Sequence, residues 1–148
     1  MKYGDLSNKT APRVYVVFEG LVASVPDDNL QEYSDMITAR KVDWFKAIKC
    51  YQLNDMVCAK LIWLSFHRDV NFTVVSWLPK EASYGIDVFL QKNGIPAGLI
   101  MSTPYEISME LVRRPDVVAI LDPDPWHVLT FGSKAKTAFN AEDIGGIF

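Results

Sequence analysis

Val14-Tyr15-Val16-Val17-Phe18-Glu19-Gly20 decides the fold: five apolar residues run without a polar interruption and stop at an acid and a glycine. A half-exposed strand alternates polar with apolar residues, whereas a continuous run of this length suits a strand covered on both faces, as in a parallel sheet. Three further runs share that character: Phe72-Thr73-Val74-Val75-Ser76-Trp77, Leu99-Ile100-Met101 and Val117-Val118-Ala119-Ile120-Leu121. Helical patterns separate them. After Asn54, read as an N-cap, Val57, Leu61 and Leu64 share a face with Cys58 and Ile62 beside them, the pattern of a well-buried helix. Pro79 suits the first turn of the next helix. Ala82, Ile86, Phe89 and Leu90 are its inward residues, and Asn93-Gly94 is its left-handed stop. A third helix runs from about Pro104, with Ile107, Leu111 and Val112 facing inward, and ends before Pro115.

Strand, helix, strand, helix, strand, helix, strand is an α/β layout, expected to form a Rossmann-like three-layer sandwich around a mainly parallel sheet of four to five strands. His127–Gly132 is the candidate fifth strand. Residues 1–12 read as a polar N-terminal tail, and residues 21–52 as a flap or small insertion. Within it Leu21–Val25 suits a small hairpin, and Asp43–Tyr51 suits a helix or a strand. The 148 residues fit one domain, and 49% apolar with 22% charged content excludes a disordered, collagen-like or coiled-coil chain. Fifteen basic against 18 acidic residues leave a net charge of −3, which argues against a nucleic-acid backbone or anionic lipid as the partner. No run of 18 apolar residues spans a membrane, and MKYGDLSNKTAPR lacks the apolar core of a signal peptide. A cytoplasmic location is expected, with Cys50 and Cys58 as reduced thiols.

In open α/β sheets ligands bind beyond the carboxyl ends of the strands. The first strand delivers Glu19-Gly20 there, the second Ser76, the third Ser102-Thr103 and the fourth Asp122-Pro123-Asp124. Carboxylates from two loops with a hydroxyl from a third are oxygen ligands of the kind Mg²⁺ takes. Asp-Pro-Asp-Pro is equally strong turn chemistry.

The ordered set resembles the haloacid dehalogenase-like (HAD) superfamily over roughly residues 13–140. VYVVFEGLV stands where that family has a first strand ending in DxDG[TV], FTVVSW is similar to its second motif, and VVAILDPDP to its last. The helix PKEASYGIDVFLQKNGIP is similar to the one that follows the second motif. The resemblance implies Mg²⁺-dependent phosphatase chemistry, and the departures speak against it. Aligning Gly20 with the family glycine puts Val17 at the nucleophilic aspartate and Glu19 at the general acid/base. Residues 14–18 contain no carboxylate in any register. Without the nucleophile there is no phosphoaspartyl route. Ser76 matches the hydroxyl that holds a phosphoryl oxygen, Asp122 the acidic metal ligand, with Asp124 as a second candidate. Arg113, Arg114 and Lys80 are candidates for the basic residue, though an arginine at a helix C-terminus is also what the helix dipole favours.

His67 and His127 lack metal-ligand spacing, Cys58 lies on a buried helix, and no glycine-rich phosphate loop is present. Trp63 and Trp77 are expected in the core. Trp44 and Trp126 fall near loops and are the candidate partner anchors, together with the segment Leu21–Tyr51. The leading reading is a catalytically inactive, degenerate, capless HAD-like domain. It would act as a protein-binding or regulatory module, with a protein or a second copy as partner and no required cofactor. Capless chains of this type are often carried by phages and other mobile elements, as the resemblance implies. The alternative is a weak Mg²⁺-dependent phosphatase or nucleotidase using Glu19 and Asp122. A third option is a different Rossmann-like binding domain, in which Glu19 and Asp122 lie far apart.

Overall fold

In the computed structural model, which describes residues 11–147, the first apolar run forms β1 (Arg13–Val17). Beyond it the chain forms β2 (Ala23–Ser24), α1 (Asp27–Ile37), α2 (Trp44–Ile48), β3 (Gln52–Leu53), α3 (Asp55–His67), β4 (Asn71–Ser76) and α4 (Ser83–Lys92). It continues through β5 (Gly98–Met101), α5 (Pro104–Arg113), β6 (Val117–Asp122), α6 (Pro125–Phe131), β7 (Ala135–Thr137) and α7 (Ala141–Ile147). Residues 1–10 of the polar tail lie outside the described residues.

Five strands pair in parallel in the order β5-β4-β1-β6-β7. Val14, Val16 and Phe18 point to one face, among Leu61 and Leu64 of α3, Ile86 and Leu90 of α4, and Ile144 of α7. Tyr15 and Val17 point to the other, among Ile107 and Leu111 of α5 and Phe131 of α6. The period-2 alternation of a strand is intact, but both phases are apolar because both faces are covered. Burying each of these side chains contributes roughly 1.5–3 kcal/mol, which makes β1 the axis of the three layers. The fold is the expected α/β sandwich.

Local expectations divide. His127–Gly132 is not a strand. Asp124 caps α6 by accepting the Trp126 N–H at 2.9 Å, Pro125 stands in the first turn, and Gly132 (φ +72°) ends it. An N-cap acid and an N1 proline outweigh the β propensity of Val128 and Phe131. The fifth strand is instead the short edge strand Ala135–Thr137. Val112 faces solvent rather than the core, at 85% exposed, and Trp63 is also on the surface, where Lys60 and Arg68 lie over its ring. Asn54 precedes α3 but does not cap it. Its amide donates to the Leu21 carbonyl at 2.7 Å.

The 21–52 segment resolves into an antiparallel pair, β2 with β3, and between them α1 and α2. Asp43 caps α2, and Ala47 and Ile48 are buried, so that segment is a helix. α1 buries no residue, although Leu30, Tyr33 and Ile37 recur in it at helical spacing. Cys50 and Cys58 are free thiols, both buried.

Candidate functional site

The chain leaves β1 for β4 and β5 on one side, then crosses to β6 and β7 on the other. The order reverses between β1 and β6, and a crevice opens at the carboxyl ends of two such strands. Two tight turns meet there. After β1, the Gly20 N–H donates to the Ala23 carbonyl at 2.8 Å and the Ala23 N–H to the Phe18 carbonyl at 3.0 Å. Gly20 has φ +88°, and a Cβ added to it would stand 3.2 Å from Pro123 Cγ. A glycine is required here both for the backbone angle and for the approach of the β6 turn.

Glu19 emerges from the first turn and reaches sideways to the end of β4. One of its carboxylate oxygens accepts the Ser76 hydroxyl proton, and the other accepts the Trp77 N–H at 3.0 Å. The Ser76 oxygen in turn accepts the Leu78 N–H at 3.1 Å. Ser76 is fully buried, so its hydroxyl needs a partner inside the protein, and Glu19 supplies it. Asp122 ends β6 with 1% exposure. One of its oxygens accepts the Asp124 N–H at 2.8 Å, and the other lies 2.8 Å from His127 Nδ1. His127 Nε2 is 3.6 Å from Asp124, and the imidazole meets the Trp77 ring edge-on at 5.6 Å.

Burial pushes the Glu19 carboxyl above its ordinary value near 4.5. The Ser76 and Trp77 hydrogen bonds oppose that rise, and the Asp122 charge adds to it. Burial also pushes Asp122 upward, against the pull of the Asp124 N–H and His127. A carboxyl raised in the folded state binds its proton more tightly there than in the unfolded chain. Both groups therefore stabilise the fold at mildly acidic pH, and that contribution is lost as pH rises above the ordinary carboxylate range. Glu19→Gln is expected to flatten this fall, because glutamine keeps an acceptor and loses the charge. Urea midpoints of both proteins between about pH 4.5 and 7.5 measure it, and parallel pH profiles would refute the assignment.

The remaining candidates separate. Val17 is 1% exposed and sits in the apolar cluster of the α5 face, with Val75 and Phe131. Arg113 and Arg114 end α5 at the opening end of β6, opposite the crevice. There Arg114 pairs with Glu110 at 3.3 Å and Asp116 at 2.9 Å, so neither arginine reaches Ser76. Lys80 lies in the 3-10 turn after β4, at the crevice end and exposed. Trp126 is 76% exposed on the rim, where an anchor was expected. Trp44 is half-buried against the larger core, which leaves little of its ring to a partner. His127 was not foreseen as part of the site. Its signal is position rather than spacing: five residues after Asp122, in the first turn of the following helix, it folds back over the strand end. Burial pushes the Cys58 thiol up to about 11, which sets it aside as a nucleophile.

The fold family implies Mg²⁺, and the residues do not fit it. Mg²⁺ demands near-octahedral oxygen ligands. Val17 offers none, and every oxygen of Glu19 and Asp122 already faces a donor or His127. Among the described residues no three acidic, histidine or cysteine side chains form a metal-binding group. The two buried side-chain atoms there without a hydrogen-bond partner, Arg13 Nε and Trp77 Nε1, are N–H donors, which a cation does not bind.

No protein-family model and no curated protein matches the chain. Among solved structures it is similar to the HAD domain of the effector protein Lem4 from Legionella pneumophila, with a TM-score of 0.53 at 11% identity over 88% of this chain and 86% of that one. An inactive mutant of that domain matches with the same TM-score and identity, over 87% and 84% of the two chains. At that identity the likeness is one of fold: the chain has a HAD-like fold.

Proposed function

We propose that this is a catalytically silent HAD-like domain that works by binding another protein. One observation carries the reading: the Ser76 hydroxyl and the Trp77 N–H, the donors at the end of β4 that an anionic ligand would use, are held by the chain's own Glu19 carboxylate. A phosphoryl group entering the crevice would have to displace that carboxylate and then lie against it and Asp122, two like charges. The position two residues back along β1, where an attacking oxygen is needed, holds the isopropyl group of Val17. What the crevice retains is structural: hydrogen bonds that tie the end of β1 to β4, and others that fold the start of α6 back over the end of β6.

The rim supplies the binding surface. Trp126 and Leu129 of α6 are 76% and 74% exposed, an aromatic and an aliphatic side chain on one short helix beside the crevice. Tryptophan is over-represented among the residues that dominate protein interfaces, and a monomer gains nothing by leaving one this open.

The test is hydrolysis of p-nitrophenyl phosphate with Mg²⁺, against an EDTA control and the Asp122→Ala protein. The expected result is no release above the mutant background. Mg²⁺-dependent release that disappears in Asp122→Ala would establish the opposite reading, a weak phosphatase in which Glu19 or Asp122 serves as general base.

A further inference from the structure

Ile107 and Leu111 fill the inner face of α5 at 0% and 2% exposure, so the helix has already buried the stripe that folding requires. Its outer face is apolar as well. Tyr105, Met109 and Val112 are 69%, 43% and 85% exposed, at spacings of four and three residues. At about 100° per residue they fall within roughly 60° of one another, opposite the inner pair. A helix on the surface of a monomer presents polar residues there; a four-three apolar seam is the spacing by which one helix receives another.

The charges beside the seam say which helix. Glu106 and Arg113 lie seven residues apart, two turns along the same flank. Arg114 is held by Glu110 and Asp116, but Arg113 makes no ion pair among the described residues, and its side chain is exposed. In an antiparallel pair of α5 helices with the twofold axis beside Met109 and Glu110, Glu106 of each copy meets Arg113 of the other, and the seam residues meet one another. A parallel twofold pair would place this flank of the two copies on opposite sides of the seam, and no Glu106–Arg113 pair would form. An isologous interface needs a patch that is its own complement, and this one is.

We propose that the protein self-associates through the outer face of α5, as an antiparallel twofold pair with Tyr105, Met109 and Val112 at its centre and two Glu106–Arg113 ion pairs across it. α6 packs against α5. In the proposed pair the exposed Trp126 and Leu129 of α6 join the interface, because the three-residue seam alone is too small for a stable dimer. The inference rests on the rim surface proposed above and gives it a second copy as its partner; it does not depend on the crevice being silent.

Sedimentation equilibrium of the full chain from about 1 to 300 µM reads it directly. The mass is expected to rise with concentration from 16.7 kDa toward twice that value. Met109→Glu should hold the protein at the monomer mass with an unchanged far-ultraviolet circular dichroism spectrum. Glu106→Arg and Arg113→Glu should each weaken association by about tenfold, since the twofold axis makes every substitution act twice. The double reversal should restore it. A monomer at all concentrations overturns the proposal. So does a double reversal no tighter than the single ones, because that result would place the contact on another face or in another direction.

Discussion

Val17→Asp is expected to cost the protein at least about 3 kcal/mol and to yield no phosphatase, although it writes a family nucleophile back into the sequence. The reason is the company Val17 keeps. Its side chain is 1% exposed among Tyr15, Val75, Ile107, Ile120 and Phe131, buried residues whose one side-chain donor, the Tyr15 hydroxyl, is committed to Glu110 at 2.7 Å; the unpartnered Nε1–H of Trp77, packed against the cluster, is a single neutral donor. A carboxylate there loses its water and gains at most that one donor, and the Glu19 carboxyl beyond the end of its own strand and the Asp122 carboxyl at the end of β6 repel it further. Its pKa is therefore expected to rise, so the destabilisation should grow with pH, the sense already described for Glu19. Thermal unfolding near pH 5 and pH 7.5 tests both parts. A loss of 3 kcal/mol corresponds to a midpoint lower by about 10 °C for a chain of this size, and Val17→Asn should fall less at the higher pH. A Val17→Asp protein as stable as the parent would mean that the cluster admits water and that the pocket is open chemistry after all.

Phe18→Ala carries a comparable cost, about 3–5 kcal/mol, out of a total stability that for a domain is usually 5–15. Phe18 is fully buried, and its ring joins two parts of the protein: Tyr51, at the end of the inserted segment, at 5.2 Å, and Phe89 of α4 edge-on at 5.6 Å. Truncation leaves a cavity that Tyr51 and Phe89 cannot both collapse into, because each is attached to a separate element. With urea slopes of about 1–3 kcal/mol/M, the midpoint should drop by roughly 2 M. A shift below about 0.5 M would show that the inserted segment docks independently of this ring.

The scaffold was legible because its signal is the crudest one available. Four short, β-branched or aromatic apolar runs without clean alternation suit strands covered on both sides, and all four became strands of one parallel sheet. What escaped notice was polar. α1 has Leu30, Tyr33 and Ile37 at helical spacing but buries none of them, and β7 reads Ala-Lys-Thr, without a hydrophobic period. α6 was obscured by the opposite fault, since Val128, Leu129 and Phe131 look like a strand until Asp124-Pro125 is read as a helix start. Val112 and Trp63 were assigned inward on apolar character alone, and both face outward.

At the site, the residues after each strand could be read from the order of elements, because topology delivers whatever follows a parallel strand to one edge. Which of them touch could not. That Glu19 turns toward Ser76 and Trp77, while Asp122 turns toward His127, depends on two turns packing together at Gly20 and Pro123, and no spacing in the chain encodes that approach.

The strand order has a consequence for synthesis. β1 leaves the ribosome first, yet Tyr15 pairs with Thr73 on one side and with Ile120 on the other. At roughly 5–20 residues per second, some seconds pass between the arrival of its first neighbour and its second. Throughout that interval the nascent chain presents β1, with its run of apolar side chains, as an open edge, the form of backbone most ready to pair with a stranger. Only the emergence of β6, about 45 residues after β4, closes that edge.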